Sequence, residues 1–203
     1  MSEIREAHEL ISFPRMEHIG GSIGFLEKMF LGQLLFLVKP NVVIETGVFK
    51  GMTTRFVREF LDLNNMSGSR VYGFDFEQVV DERLTEPFFN ESPGVELVPG
   101  ILPQSLELFL GKKSIEVDFA IVDGNHAYEG VLLDLKALEP YISVDGVIFC
   151  HDYRTGDDVY EGTCRAINEF CDTCAFQMFH IQSEKASVWG SAFLQRVNKK
   201  GVL

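Results

Sequence analysis

Asn41-Val42-Val43-Ile44-Glu45-Thr46-Gly47-Val48-Phe49-Lys50-Gly51-Met52-Thr53-Thr54 runs from an apolar, β-branched strand through an acidic residue and two glycines into the start of a helix. Gly47 and Gly51 allow the backbone to approach a ligand with no Cβ in the way. Thr53 is expected to cap the helix that follows, whose free N–H groups attract a carboxylate or phosphate. The order E-x-G-x-x-x-G differs from the dinucleotide fingerprint G-x-G-x-x-G, because an acidic side chain placed first repels a pyrophosphate and attracts an ammonium group. Taken alone, the stretch also fits an ordinary strand-turn-helix joint, so the flanking sequence has to decide.

Upstream, Ile23, Leu26, Met29, Phe30, Leu34 and Leu37 recur at helical spacing and stop at Lys39-Pro40. They predict a helix packed on the core by that stripe, within an N-terminal helical cap segment, residues 1–38. Downstream, the pattern predicts a helix from about Thr53 to Leu63, strands Val71–Asp75 and Val95–Val98, and a helix near Ser105–Leu110. Phe119–Asp123 and Val147–Cys150 are short apolar runs of the kind buried on both faces of a parallel sheet, with helical periodicity over Tyr128–Leu138 between them. A helix near Thr163–Phe170 precedes two strand-like stretches, Phe176–Ile181 and Ser187–Leu194, joined by a polar turn short enough for a hairpin. The expected fold is therefore α/β: one doubly wound, mostly parallel, Rossmann-like sheet with a C-terminal antiparallel hairpin, in a single domain spanning 1–203. In such a sheet the ligand crevice lies at the carboxyl ends of the strands.

Several acidic residues end these strands. Asp75 closes Val71-Tyr72-Gly73-Phe74, where an acid can accept both hydroxyls of a ribose; the alternative is a turn former. Asp123 closes Phe119-Ala120-Ile121-Val122, and Asp152 follows Val147-Ile148-Phe149-Cys150. Ends of neighbouring strands lie roughly 5 Å apart. Two carboxylates that close repel, and a cation between them resolves the conflict. Asn125, His126, His151 and Tyr153 stand nearby; oxygen donors suit magnesium, calcium or manganese, and an imidazole shifts the preference toward manganese, iron or zinc. The bland alternative is a hydrogen-bonded polar rim. His8, His18 and His180 read as ordinary surface or core histidines, and Lys50 as a solvated charge.

Composition narrows the partners. At 203 residues and 46% hydrophobic content the chain suits one soluble globular domain. A net charge of −12 disfavours nucleic acid and anionic membrane, and Lys112-Lys113 and Lys199-Lys200 are loop and tail charges rather than a basic patch. The start Met1-Ser2-Glu3-Ile4-Arg5-Glu6 lacks the pattern of a secretion signal and no apolar run approaches a membrane span, so a cytoplasmic protein is expected. The four cysteines read as reduced thiols. Cys171-Asp172-Thr173-Cys174 closes a helix instead of opening one, unlike a redox motif, and with His180 it lacks a second well-spaced ligand pair for zinc.

Glu45-Thr46-Gly47-Val48-Phe49-Lys50-Gly51, the acidic end of Val71–Asp75, Asp123-Gly124-Asn125-His126-Ala127-Tyr128-Glu129-Gly130 and Gly146-Val147-Ile148-Phe149-Cys150-His151-Asp152-Tyr153 occur in this order. Together they resemble the class I S-adenosylmethionine-dependent methyltransferases over nearly the whole chain. The similarity is strongest to small metal-dependent O-methyltransferases of the catechol and macrocin/sugar types. The resemblance implies S-adenosyl-L-methionine as cofactor, with Glu45, Gly47 and Thr53 near its methionine part, Phe49 lining the same pocket, Asp75 on the ribose, Gly100 and Ile101 beside the adenine, and Gly51 and Asp123 also among the cofactor-binding residues. It implies a divalent metal, Mg2+ or Mn2+, on Asp123 and Asp152. The chain departs from the family's third-ligand position, with His151 before Asp152 and Tyr153 after it; His151 is the candidate third ligand. His126 stands where the catechol enzymes carry a catalytic lysine, and it is the candidate base, acting with Asp123. The expected reaction is O-methylation of a small-molecule hydroxyl, with a homodimer left open. The alternatives are a related S-adenosylmethionine-binding protein of hydroxylase-like reaction and an inactive cofactor-binding module. A nicotinamide enzyme would need Gly in place of Glu45.

Overall fold

The computed structural model describes residues 11–15, 23–100, 102–184 and 189–197. In chain order they form α1 (Phe25–Val38), β1 (Val42–Thr46), α2 (Met52–Leu63), β2 (Arg70–Asp75), α3 (Glu77–Leu84), α4 (Pro87–Glu91), β3 (Val95–Pro99), α5 (Gln104–Lys113), β4 (Val117–Val122), α6 (Tyr128–Leu138), β5 (Ile142–His151), α7 (Glu161–Thr173), β6 (Phe176–Gln182) and β7 (Gly190–Arg196). The strands make one sheet in the order β3-β2-β1-β4-β5-β7-β6. The first five run parallel, while β7 pairs antiparallel with both β5 and β6. The order reverses between β1 and β4, which opens a crevice at their carboxyl ends.

Strand periodicity sorts the core into two layers. Ile44, Ala120, Val122, Ile148 and Cys150 face Leu106, Leu135, Ile167 and Phe170 of α5, α6 and α7. Val43, Phe119, Ile121, Val147 and Phe149 face Leu31 and Leu35 of α1 and Phe56 and Phe60 of α2. Successive residues of a strand point to opposite faces, so Glu45 and His151, each two residues beyond Val43 and Phe149, belong on the α1/α2 side.

The structure differs from the sequence reading in three places. Helices α3 and α4 fill the stretch between β2 and β3, where short, polar segments carry little periodicity. Thr53 does not cap α2: Gly51 holds that position with a left-handed φ of 68° and no side-chain bond, which places Thr53 inside the first turn. Helix α1 is rotated from its apolar stripe. It buries Glu27, Lys28, Leu31, Gly32 and Leu35, while Leu26, Phe30 and Leu37 of the expected stripe are exposed. Most of Met1–Gly24, with His8 and His18, lies outside the described residues, as do Ile101, Ser187 and Lys199-Lys200. Among the described residues no helix is long and apolar enough to cross a membrane.

Candidate active site

A cavity of about 900 Å3 opens at the carboxyl ends of the strands. Its wall contains Gly47, Phe49, Thr53, Asp75, Gly100, Asp123, His126, His151 and Asp152, so residues spread over the sequence meet in one place. Gly47 has φ +90°, and a Cβ built there would overlap the carbonyl oxygen of Asp123. The turn after β1 is thus pressed against the end of β4, a fit that only glycine allows. Gly51 is closed in by the Phe89 ring of α4 in the same way.

Asp75 binds the turn from the side. Its Oδ2 accepts the Phe49 N–H at 2.7 Å and its Oδ1 accepts the Phe76 N–H at 2.7 Å. Phe49 is held at φ 44°, a conformation that a side chain rarely adopts without such support. Each carboxylate oxygen keeps a further lone pair for a ligand hydroxyl.

Glu45 stands behind the turn, 1% exposed, and is absent from the cavity wall. The Thr54 hydroxyl of α2 donates to its Oε2, and Oε1 has no partner among the described residues. Burial pushes its pKa up to about 8; the Thr54 bond opposes the shift, and the charges of Asp123 and Asp75 add to it. Asp134 of α6, which sequence reading missed, does line the cavity, and burial raises its carboxyl to about 6 against the pull of the Thr46 hydroxyl. One acidic position on an amphipathic helix offers no signal of that role.

The other end of the cavity is built on β4 and β5. Their register pairs Val122 with Cys150, which sets Asp123 opposite His151 and leaves Asp152 one step beyond. Asp152 has φ 57°, in the left-handed region, and its carboxylate lies with Asp123 and His126. One ligand atom from each of Asp123, His126 and Asp152 falls within 4.8 Å of the others, a spacing and donor set that fit a divalent ion. His126 is half exposed, faces Asp152 Oδ2 from Nδ1 at 3.4 Å and packs edge-on against Tyr160.

His151 is placed differently. Its ring is mostly buried, with Nδ1 2.8 Å from Asp123 Oδ1 and 3.4 Å from Asp152 Oδ2, and Nε2 3.4 Å from Glu27 Oε2. Burial alone would lower its pKa, but Asp123, Asp152 and Glu27 hold it well above the ordinary histidine value. Burial would raise Asp152, yet His151, Arg154 and His126 hold it low. Arg154 pairs with Asp152 Oδ1 and lies over the Tyr160 ring, so the loop after β5 closes this side of the cavity. Asp157 of that loop accepts the Val159 N–H and does not reach the wall. The cysteines are free thiols; Cys171 sits in the last turn of α7 and Cys174 at its C-cap.

Residues 44–153 match the family model described as a methyltransferase domain, which covers more than half of the chain. A sequence comparison with curated proteins finds no match. Among solved structures, the chain is similar in fold to an O-methyltransferase from Bacillus cereus in complex with SAH, at 17% identity and TM-score 0.72, covering 97% of this chain and 88% of that one. It is also similar to the O-methyltransferase TomG from Streptomyces achromogenes, involved in tomaymycin synthesis and solved with SAM. That match has 13% identity and TM-score 0.68, covering 97% and 96%. The SAH-bound methyltransferase PaMTH1 from Podospora anserina matches at 13% identity and TM-score 0.70, covering 91% and 83%.

Proposed function

The chain belongs to the methyltransferase-domain family, and from that premise we propose that it binds S-adenosylmethionine in the strand-end cavity and methylates a hydroxyl oxygen of a small molecule with the help of a divalent ion. The observation that carries this reading is the meeting of the Gly47 turn, Asp75 and the Asp123/Asp152 pair around one cavity at the switch point of the sheet. Asp75 would receive the ribose hydroxyls on its remaining lone pairs. Gly47 and the first turn of α2, with Thr53, would hold the methionine part, and Gly100 would lie toward the adenine, with Ile101 next to it in sequence. Glu45 acts through the turn, which it anchors to α2. The cofactor supplies a methyl group on a cationic sulfur.

Asp123 and Asp152 would hold the ion, which on binding an acceptor hydroxyl lowers its pKa and orients it. His126, at the exposed side of the cavity, takes the hydroxyl proton on a ring nitrogen. With the cofactor held by the Gly47 turn and Asp75, its methyl group would be presented to that oxygen, and the electron pair of the carbon–sulfur bond would leave with the sulfur as S-adenosylhomocysteine. Tyr160 and Arg154 bound the acceptor side and exclude water.

The 4.8 Å convergence favours a second reading, in which His126 is the ion's third protein ligand. Titration of Mn2+ followed by electron paramagnetic resonance separates the two. As a base, His126→Ala binds Mn2+ like the wild type; as a ligand, the variant loses about tenfold or more in affinity. Crystals grown with S-adenosylhomocysteine and Mn2+ test the whole arrangement. Density between Asp123 and Asp152 supports the metal site, and an ion elsewhere with an empty carboxylate pair contradicts it.

A further inference from the structure

We propose that Glu27, on the first turn of α1, is a positioning residue that clamps His151 against the Asp123/Asp152 pair and so shapes the cation site. The inference rests on the metal-dependent reading above. Glu27 is 1% exposed and comes from a helix remote in sequence from both carboxylates. Its Oε1 accepts the Ser191 hydroxyl of β7 at 2.5 Å, its Oε2 accepts the Gly24 N–H at 3.1 Å, and the same Oε2 faces His151 Nε2 at 3.4 Å. The other ring nitrogen of His151 meets Asp123 at 2.8 Å. The result is a continuous carboxylate–imidazole–carboxylate chain from α1 to the reacting end of the cavity.

The rotation of α1 is the second observation. The helix buries this carboxylate while Phe25, Leu26, Phe30 and Leu37 stay exposed. Burying such side chains is favourable, so apolar contact alone would favour a face that covers more of them. The polar contacts of Glu27 fix the face that is observed. With both ring nitrogens of His151 engaged by carboxylates, the imidazole serves as a hydrogen-bonding support for Asp123 and Asp152, and His126 is left as the imidazole beside the ion. Partners of this kind, one shell out from a metal, typically change its affinity by 10- to 100-fold when removed.

The test uses the full chain as Glu27→Gln, Glu27→Asp and Glu27→Ala, with Mn2+ and S-adenosylhomocysteine as separate probes and 15N-histidine NMR for the ring. The expected result is a His151 Nε2–H proton resonance that is downfield in the wild type, moved upfield in Glu27→Gln and absent in Glu27→Ala. Mn2+ affinity should fall about tenfold or more in Glu27→Ala, with partial recovery in Glu27→Asp and unchanged S-adenosylhomocysteine affinity. An unchanged ring resonance overturns the proposal, as does a parallel loss of both ligands, which would make Glu27 only a helix anchor. The isosteric Glu27→Gln decides the matter if Glu27→Ala does not fold. If the wild type binds no Mn2+, the metal reading fails by itself, and the NMR shifts alone decide whether Glu27 holds His151.

Discussion

Glu45 combines an acidic side chain with a place where it cannot readily ionise. In the folded chain burial lifts its pKa from an ordinary carboxylate value to about 8, whereas in the unfolded chain it titrates near 4.5. The folded state therefore binds more protons between those values, and Glu45's contribution to stability is full below about pH 4.5 and is lost as the pH rises through about 8. Glu45→Gln removes this dependence. Urea denaturation should show the variant gaining stability relative to wild type as pH is raised from 5 to 8.5; parallel stability curves would contradict the assignment. The acid itself was legible in the sequence, since an acidic residue ending an apolar strand before two glycines is a distinct pattern. Its support by Thr54 was not, because the partner is one of several side chains in the first turn of α2, and only the folded geometry shows which of them comes round to meet the strand end.

At the scale of elements, the turn between β1 and α2 joins the sheet to the cavity. Gly47→Ala combines a left-handed φ with overlap against the Asp123 carbonyl, so it should cost about 1–3 kcal/mol of stability and abolish S-adenosylhomocysteine binding. Gly156→Ala is the matched control, with φ +87° and no atom within 4 Å of the added Cβ. It should keep ligand binding, as measured by calorimetry, and equal loss of binding in both variants would refute a specific role for the Gly47 contact. The parallel strands and the hairpin could be read in advance because buried strands give unbroken β-branched runs and a hairpin needs a short polar turn. The orientation of α1 could not. Its spacing pointed to the wrong stripe, because in a helix that is apolar almost all round periodicity is a weak guide to rotation, and the contacts that accompany the observed face come from Ser191 and His151 on distant strands.

For the whole molecule, the sheet order brings the ends of β1, β2, β4 and β5 to one cavity, and most of the candidate residues were placed there by motif order alone. What the motifs could not distinguish was the work of the two histidines. Adjacent strand ends put both near Asp123 and Asp152, and only the register of β4 on β5 and the approach of α1 separate the enclosed His151 from the accessible His126. The central claim, one S-adenosylmethionine-type ligand held between the Gly47 turn and Asp75, is tested most directly by calorimetric titration of S-adenosylhomocysteine into wild type and Asp75→Ala. The account predicts one site per chain in the wild type. The variant should lose on the order of 2 to 4 kcal/mol of binding free energy, because two charge-assisted hydrogen bonds to the ligand and the support of the Phe49 turn go together. No binding by the wild type, or equal affinity in the two proteins, would contradict it.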